Sequence, residues 1–330
     1  MSEYVIGIDG GGTKSHLALF DTMGTLVDFN HWGPLNHEAL PGSFSQFEDE
    51  MGQFVSQTLS KNKISMKQIG YSVLGLAGVD TKLQHKIVSE ILCRLGFEKF
   101  TLVNDAFLGI PAGSPTGIGI CAINGTGCTL AGINSEGKTL QIGGVGFISA
   151  DLGGGGMMSQ MVVSSVYSEL FRKGEPTSMT PAFFKKLGIT SKYDFVEKIY
   201  EKMADLSFEA SSCQKMLFEA VAGNDKVAAG ILCDVATSYG RGISCMIEEV
   251  NYRKDEVLHI VLAGSVFVKG EHPFLIEALK EVVSQDKPDY RINYTKLEVP
   301  PVAGAVIWAL NTLNGQTGYF EKVSAQLAKG

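Results

Sequence analysis

No Cys-x-x-Cys pair occurs among the six cysteines, Cys93, Cys121, Cys128, Cys213, Cys233 and Cys245. A zinc site, a disulfide framework and an iron–sulfur cluster held by this chain alone are therefore not expected. A cluster shared across a dimer needs fewer ligands per chain and stays open. Most of these cysteines have apolar neighbours, which predicts buried thiols in a reducing, cytoplasmic compartment. Basic residues never run to five in a row, and the net charge is −7. Neither nucleic acid nor an anionic membrane surface is expected as a partner. No uninterrupted apolar run reaches the roughly 18 residues of a membrane span. The first residues lack the basic and apolar segments of a signal peptide. With three residues ahead of Tyr4, no DNA-binding segment is expected before the first strand.

What is there is a balance of 45% hydrophobic and 19% charged residues over 330 positions. That is the composition of a globular protein, and the length predicts two domains. Glycine is plentiful, with 39 residues in clusters, which predicts tight turns and close backbone approaches.

The first cluster follows an apolar run, Tyr4-Val-Ile-Gly-Ile-Asp-Gly-Gly-Gly-Thr-Lys14. Strands are predicted over 4–8, 15–20 and 25–29, with a four-residue turn at Asp21–Gly24. A helix is predicted over 43–60, a strand at 71–76, a helix over 81–95 and a strand at 100–103. The pattern then returns. Residues 118–123 read as a strand, Asn124-Gly-Thr-Gly127 as a loop, 128–133 as a strand, Asn134–Gly137 as a turn and 138–142 as a strand. Asp9 falls opposite Asn124, and the second loop is two residues shorter. The stretch 71–78 is echoed again by 259–264, with helices predicted between at 157–171, 181–187, 192–204, 210–222 and 225–250. The period is that of whole half-proteins, which points to duplication rather than to a short repeat.

Two common phosphate motifs fail on the first loop. A dinucleotide fingerprint should open a helix, but Thr13–Phe20 alternates like a strand. A Walker A loop needs Lys directly after the glycine at position 12, where Thr13 stands. A hairpin loop remains, whose amides can gather around an anion. Two such loops, one per half, could face each other across a cleft and hold one phosphate chain.

These residues resemble the phosphate loops of the sugar kinase, heat-shock ATPase and actin superfamily. More closely, the chain resembles the N-acetylglucosamine kinase and BadF/BadG/BcrA/BcrD ATPase family. The matching pieces are Gly10-Gly-Gly-Thr13, Gly33-Pro-Leu-Asn36-His37, Gly75-Leu-Ala-Gly78, Asn104-Asp105-Ala106, Asn124–Gly127, Gly143–Gly156 with Asp151, and Leu262-Ala-Gly-Ser265. They occur in family order over nearly the whole chain.

The resemblance implies an α/β fold of two duplicated actin-like (ribonuclease H-like) domains, mixed sheets flanked by helices, with ATP in the interdomain cleft. The expected domains are 1–117 plus 314–330, and 118–313. It implies an ATP-dependent kinase acting on the 6-hydroxyl of an amino sugar, N-acetylglucosamine first. Glucosamine, N-acetylmuramic acid or another hexose are alternatives. An ATPase that activates a redox partner is the alternative of another class.

In the kinase reading Asp105, at a strand end, accepts the proton of the attacking hydroxyl; by residue type alone it could equally cap a turn. Asp9 holds Mg²⁺, or caps the glycine turn. Gly10, Gly11, Gly12, Thr13 and Lys14 contact phosphate, with a solvated strand charge as the other reading of Lys14. Gly125, Thr126 and Gly127 form the second phosphate loop. Gly264 lies against adenosine, with the helix around 237–242 opposite. Asn36, His37, Gly144 and Asp151 contact the sugar, with His37 open to a structural role. Around Asp151 the family usually reads Gly-Asp-Glu-Gly-Ser-Gly; here Ala150 precedes it and Leu152 follows. The lost Glu removes one sugar contact. Dimers are common in the family, so a homodimer is the protein partner suggested.

Overall fold

The computed structural model describes residues 3–149, 151–204 and 210–328. Ala150 and both chain ends of the expected domain limits lie outside them.

Among the described residues ten strands form two sheets of five. β1 (Tyr4–Gly10), β2 (Ser15–Asp21), β3 (Leu26–Trp32), β4 (Ile69–Leu76) and β5 (Phe100–Val103) make the first, in the order β3-β2-β1-β4-β5. β6 (Gly119–Asn124), β7 (Cys128–Ile133), β8 (Thr139–Gly143), β9 (Val257–Ala263) and β10 (Arg291–Lys296) make the second, in the order β10-β9-β6-β7-β8. The two orders are identical when matched strand for strand. In each sheet the leading strand pairs antiparallel with its hairpin partner and parallel with the strand that returns after the crossover. The echo between 71–78 and 259–264 is thus β4 against β9. The duplication is present in the topology itself.

The leading strands are central and covered on both faces, so Val5, Ile6 and Ile8 are all buried and the sequence reads as a run rather than an alternation. One face of the first sheet packs on α1 (Ser43–Lys61) and α2 (Lys82–Arg94) through Phe47, Phe54, Val88 and Ile91. Thr81 starts α2, accepting the N–H of Gln84 at 3.2 Å, with the Gln84 side chain returning to the Thr81 N–H at 2.9 Å.

The short α3 (Gly109–Gly113) leads into the second sheet. That sheet is covered by α4 (Gly155–Phe171), α5 (Met179–Leu187), α6 (Phe195–Ala204), α7 (Ala210–Ala222), α8 (Lys226–Val250), α9 (Ser265–Lys269) and α10 (Phe274–Asp286). α11 (Val302–Asn314) and α12 (Phe320–Leu327) close the chain.

The other face of the first sheet packs on these last two helices, with Val5, Phe20 and Val73 against Val302, Val306, Leu310 and Val323. α11, from Val302 onward, thus packs on the first sheet. The physical reason is that α11 is apolar on almost every side and needs a sheet face to cover it. Between the lobes, Ala106, Phe107, Ile110 and Ala112 pack on Cys121, Ala131 and Val261 of the second sheet.

The thiols depart from expectation. Cys121 and Cys213 are buried and Cys128 is partly buried, but Cys93, Cys233 and Cys245 are exposed. The last three lie on the outer faces of α2 and α8, where apolar sequence neighbours belong to the opposite face of the same helix. Among the described residues no helix is long and apolar enough to cross a membrane.

Candidate functional site: a cleft between two glycine hairpins

The two hairpin loops open onto one cavity of about 370 Å³. Gly12 lines it from the first loop, and Thr126 and Gly127 from the second. Between them lie Asn36, Glu38, Ala77, Gly78, Asp80, Asn104, Asp105, Ile123, Thr129 and Gly144. Of the expected site residues, the structure thus brings together Gly12, Asn36, Asp105, Thr126, Gly127 and Gly144.

Asp105 follows β5 in a short helical turn whose start is fixed by Asn104, the Asn104 Oδ1 accepting the Ala106 N–H at 3.0 Å. Asp105 is half-buried and closely surrounded by protein. Burial first, then the neighbouring Asp9 and Asp80 carboxylates, push its carboxyl up to about 7. A carboxylate with that affinity is matched to taking a proton near neutral pH.

Asn36 lines the cavity. Its Oδ1 accepts the Glu38 N–H at 2.9 Å, and its Nδ2 makes no hydrogen bond among the described residues. Gly78 sits behind it at φ +81°, where a Cβ would stand 2.4 Å from the Asn36 Oδ1. His37 is not on the cavity wall. It is buried, stacked on Phe44 with ring centres 4.0 Å apart. Burial lowers its proton affinity, against the pull of Glu38 and Asp80.

Gly10 and Gly11 supply backbone structure to the first loop. The Gly10 carbonyl accepts the Ala77 N–H at 2.8 Å, and the Gly11 N–H donates to the Lys14 carbonyl at 3.1 Å. Thr13 and Lys14 are exposed and line none of the cavities described here. Asp9 stands one residue before the end of β1, directly opposite His16 in the hairpin register, with its Oδ2 3.6 Å from the His16 Nδ1.

Among the described residues no group of three or more His, Cys, Asp or Glu side chains could hold a metal by themselves. Among the described residues Asp9 pairs with no Lys or Arg, which leaves a hard oxygen donor beside the glycine loops. One carboxylate completed by phosphate oxygens and water is how magnesium is usually held, so the donor set fits that ion.

A second cavity of about 280 Å³ adjoins the first and shares Thr126, Gly127, Thr129 and Gly144 with it. Asp151 lies here. Its Oδ2 accepts the N–H groups of Gly144 and Gly146, each at 3.0 Å, and so shapes the loop after β8.

Gly125 lies against Gly264 at the ends of the parallel pair β6 and β9. Gly264 has φ +86°, and a Cβ there would stand 2.4 Å from the Asn124 carbonyl oxygen. Just beyond it is a cavity of about 300 Å³ lined by Gln214, Lys215 and Phe218 of α7 and by Ser265, Val266 and Lys269 of α9. The helix around 237–242 does not reach it. Tyr239 points inward and donates to the Ile123 carbonyl at 2.6 Å, and Gly240 lies against Val282 of α10.

Sequence reasoning missed Glu38, Asp80 and Gln141 on or beside the cleft, and α7 at the outer cavity. Asp80 stands two residues past the Gly75–Gly78 stretch, a signal within reach. Gln141 and α7 carried none.

Residues 6–309 match the BadF/BadG/BcrA/BcrD ATPase family. The chain is 26% identical to an N-acetyl-D-glucosamine kinase of Dictyostelium discoideum over 94% of this chain and 98% of that protein. It is 25% identical to an N-acetylmuramic acid/N-acetylglucosamine kinase of Clostridium acetobutylicum over 93% and 98%. Its fold is similar to a crystal structure assigned as an N-acetylglucosamine kinase from Chromobacterium violaceum, with TM-score 0.63, 18% identity, and 92% of this chain and 98% of that one covered. A match over nearly the whole length, on a fold with both hairpin loops in place, shows that the chain belongs to the BadF/BadG/BcrA/BcrD ATPase family.

Proposed function

We propose that the protein is an ATP-dependent sugar kinase that phosphorylates the 6-hydroxyl of an amino sugar, N-acetylglucosamine first among them. One observation carries this reading: Asp105 shares a single cavity with both glycine loops and with Asn36. Phosphoryl transfer asks for an oriented hydroxyl, a base and charge stabilisation in line, and these are the groups the cavity holds.

In this reading Asn36 and Gly144 orient the sugar, with Asp151 shaping the Gly144 loop. Asp105 accepts the proton of the attacking hydroxyl. The amides of Gly12 and Gly127 and the Thr126 hydroxyl surround the transferred group, Gly125 closes the second loop by donating its N–H to the Gly127 carbonyl at 3.0 Å, and Gly10, Gly11, Thr13 and Lys14 form the rest of the first loop. The cavity between α7 and α9, beside Gly264, takes the adenosine. Asp9 is the residue that would hold Mg²⁺, which neutralises charge on the phosphates when bound. Closing of the lobes over the sugar would exclude water, so that ATP is not simply hydrolysed. We take the domains as 1–117 with the C-terminal return, and the segment from 118 up to that return.

ADP release from MgATP over a panel of hexosamines tests this. Sugar-dependent release with a stoichiometric sugar phosphate is expected. Hydrolysis at the same rate with and without sugar would sink the kinase reading.

A further inference from the structure

The sugar end of the cleft carries charge of one sign. Glu38, Asp80 and Asp105 line it, and no Lys, Arg or His side chain does so among the described residues. Asp80 is exposed on the cleft wall but not loose. Its Oδ1 accepts hydrogen bonds from Asn104 Nδ2 at 2.9 Å and, across the lobes, from Gln141 Nε2 at 2.7 Å. Asn104 is fixed in turn by its bond to the Ala106 N–H. A carboxylate pinned from both lobes cannot turn away from an arriving anion without losing two hydrogen bonds. Lys82 and His85 line a neighbouring cavity that shares Asp80 and Asn104 with the cleft. Asp80 therefore borders both the cavity with those basic groups and the cleft.

We propose that Asp80 is a specificity-determining residue that rejects acceptor sugars bearing a carboxylate, so that the cleft takes neutral or amine-bearing hexosamines and discriminates against N-acetylmuramic acid. This rests on the sugar-kinase reading. Selectivity by an opposed like charge is a common way to exclude one of two similar ligands. The field of Asp80 is already felt at Asp105, where it adds to burial and Asp9 in raising proton affinity.

The test compares kcat/KM for N-acetylglucosamine, N-acetylmuramic acid and the methyl ester of the latter, in the wild type and in Asp80→Asn. The Asn side chain keeps an oxygen to accept from Asn104 and Gln141 while losing the charge. The wild type should prefer N-acetylglucosamine to the acid by about 100-fold or more, with the ester between them. Asp80→Asn should narrow the gap for the acid about tenfold and leave the ratio of ester to N-acetylglucosamine in place. Raising salt from about 50 mM to about 500 mM should narrow the wild-type gap too, because exposed charges are screened. A purely structural role of Asp80 would instead move all three acceptors together. The proposal is overturned if the wild type uses the acid as well as N-acetylglucosamine, if acid and ester are rejected equally, or if the variant leaves the acid's gap unchanged. If no hexosamine stimulates ADP release, the kinase reading fails and this proposal with it, a result distinct from the other three.

Discussion

In the first lobe the strand entering the glycine loop carries Asp9 near its end, an acid with a 15% exposed side chain facing His16 at 3.6 Å. In the second lobe the matching strand ends in Asn124, which is fully buried and whose Oδ1 accepts the Gly154 N–H at 2.8 Å. The two strands occupy the same place in sheets of the same order. The two halves thus carry matching glycine hairpins, and the residue that leads into the loop is placed differently in each. In the first lobe the acid faces His16 and, in the proposed reading, is the residue that would hold Mg²⁺. The amide turned inward and anchors the glycine-rich start of α4. That segment needs the anchor because Gly153–Gly156 has no side chains of its own to fix its path.

The largest effect is expected where the two lobes meet. Asp105→Asn should lower kcat by about 10²–10⁴, the usual worth of a positioned base, while calorimetry still detects binding of an ATP analogue. Retention of near-normal turnover would show that the base lies elsewhere.

Exchanging the strand-end residues tests the comparison itself. Asp9→Asn gives the first loop the chemistry of the second. It should cost about 10²–10³ in kcat/KM, and magnesium should no longer tighten ADP binding. The reverse change, Asn124→Asp, buries a charge without a cation and should cost about 3–5 kcal/mol in urea unfolding. If both exchanges are silent, the strand-end residues do not differ in role.

Gly264→Ala is smaller. A side chain at φ +86°, pressed on the Asn124 carbonyl, should cost about 1–3 kcal/mol in stability and weaken nucleotide binding, as thermal shift with and without ADP would show.

The mildest effect is that of pH. With Asp105 pushed up to about 7, kcat/KM for the sugar should rise with pH through that value, and Asp105→Asn should lose this limb. The sign for stability is opposite. A carboxyl whose folded affinity is raised favours the folded state most below the ordinary carboxylate range, and that contribution is lost as pH rises through about 7. Asp105→Asn should therefore gain Tm relative to the wild type at pH 8 but not at pH 4.

Much of this was readable before the structure. The central strands are buried on both faces and bounded by glycine turns, so β1, β2, β6 and β7 stood out as apolar runs. The loops were visible because glycine clusters where backbones approach closely. β10 was not visible: Arg291–Lys296 is an edge strand with charged ends and half-exposed faces, and it lacks the apolar run that marks the others. α3 was hidden as well, since Gly-Ile-Pro-Ala-Gly reads as a breaker, and packing on α11 makes it helical. In the site, Asn36 and Asp105 could be named through the family resemblance that their short motifs help to carry. The Asp80–Gln141 bond could not, because its partners lie 61 residues apart on different lobes and only the fold brings them together. The same applies to α7 at the outer cavity, where nothing in its sequence distinguishes a wall helix from a core helix.

The most direct measurement is a structure of the protein with Mg²⁺ and a non-hydrolysable ATP analogue. The account predicts one nucleotide per chain, its terminal phosphate between Gly12 of the first hairpin and Thr126 of the second, with the base beside Gly264. Phosphates bound to one hairpin alone, with the other left facing solvent, would contradict it.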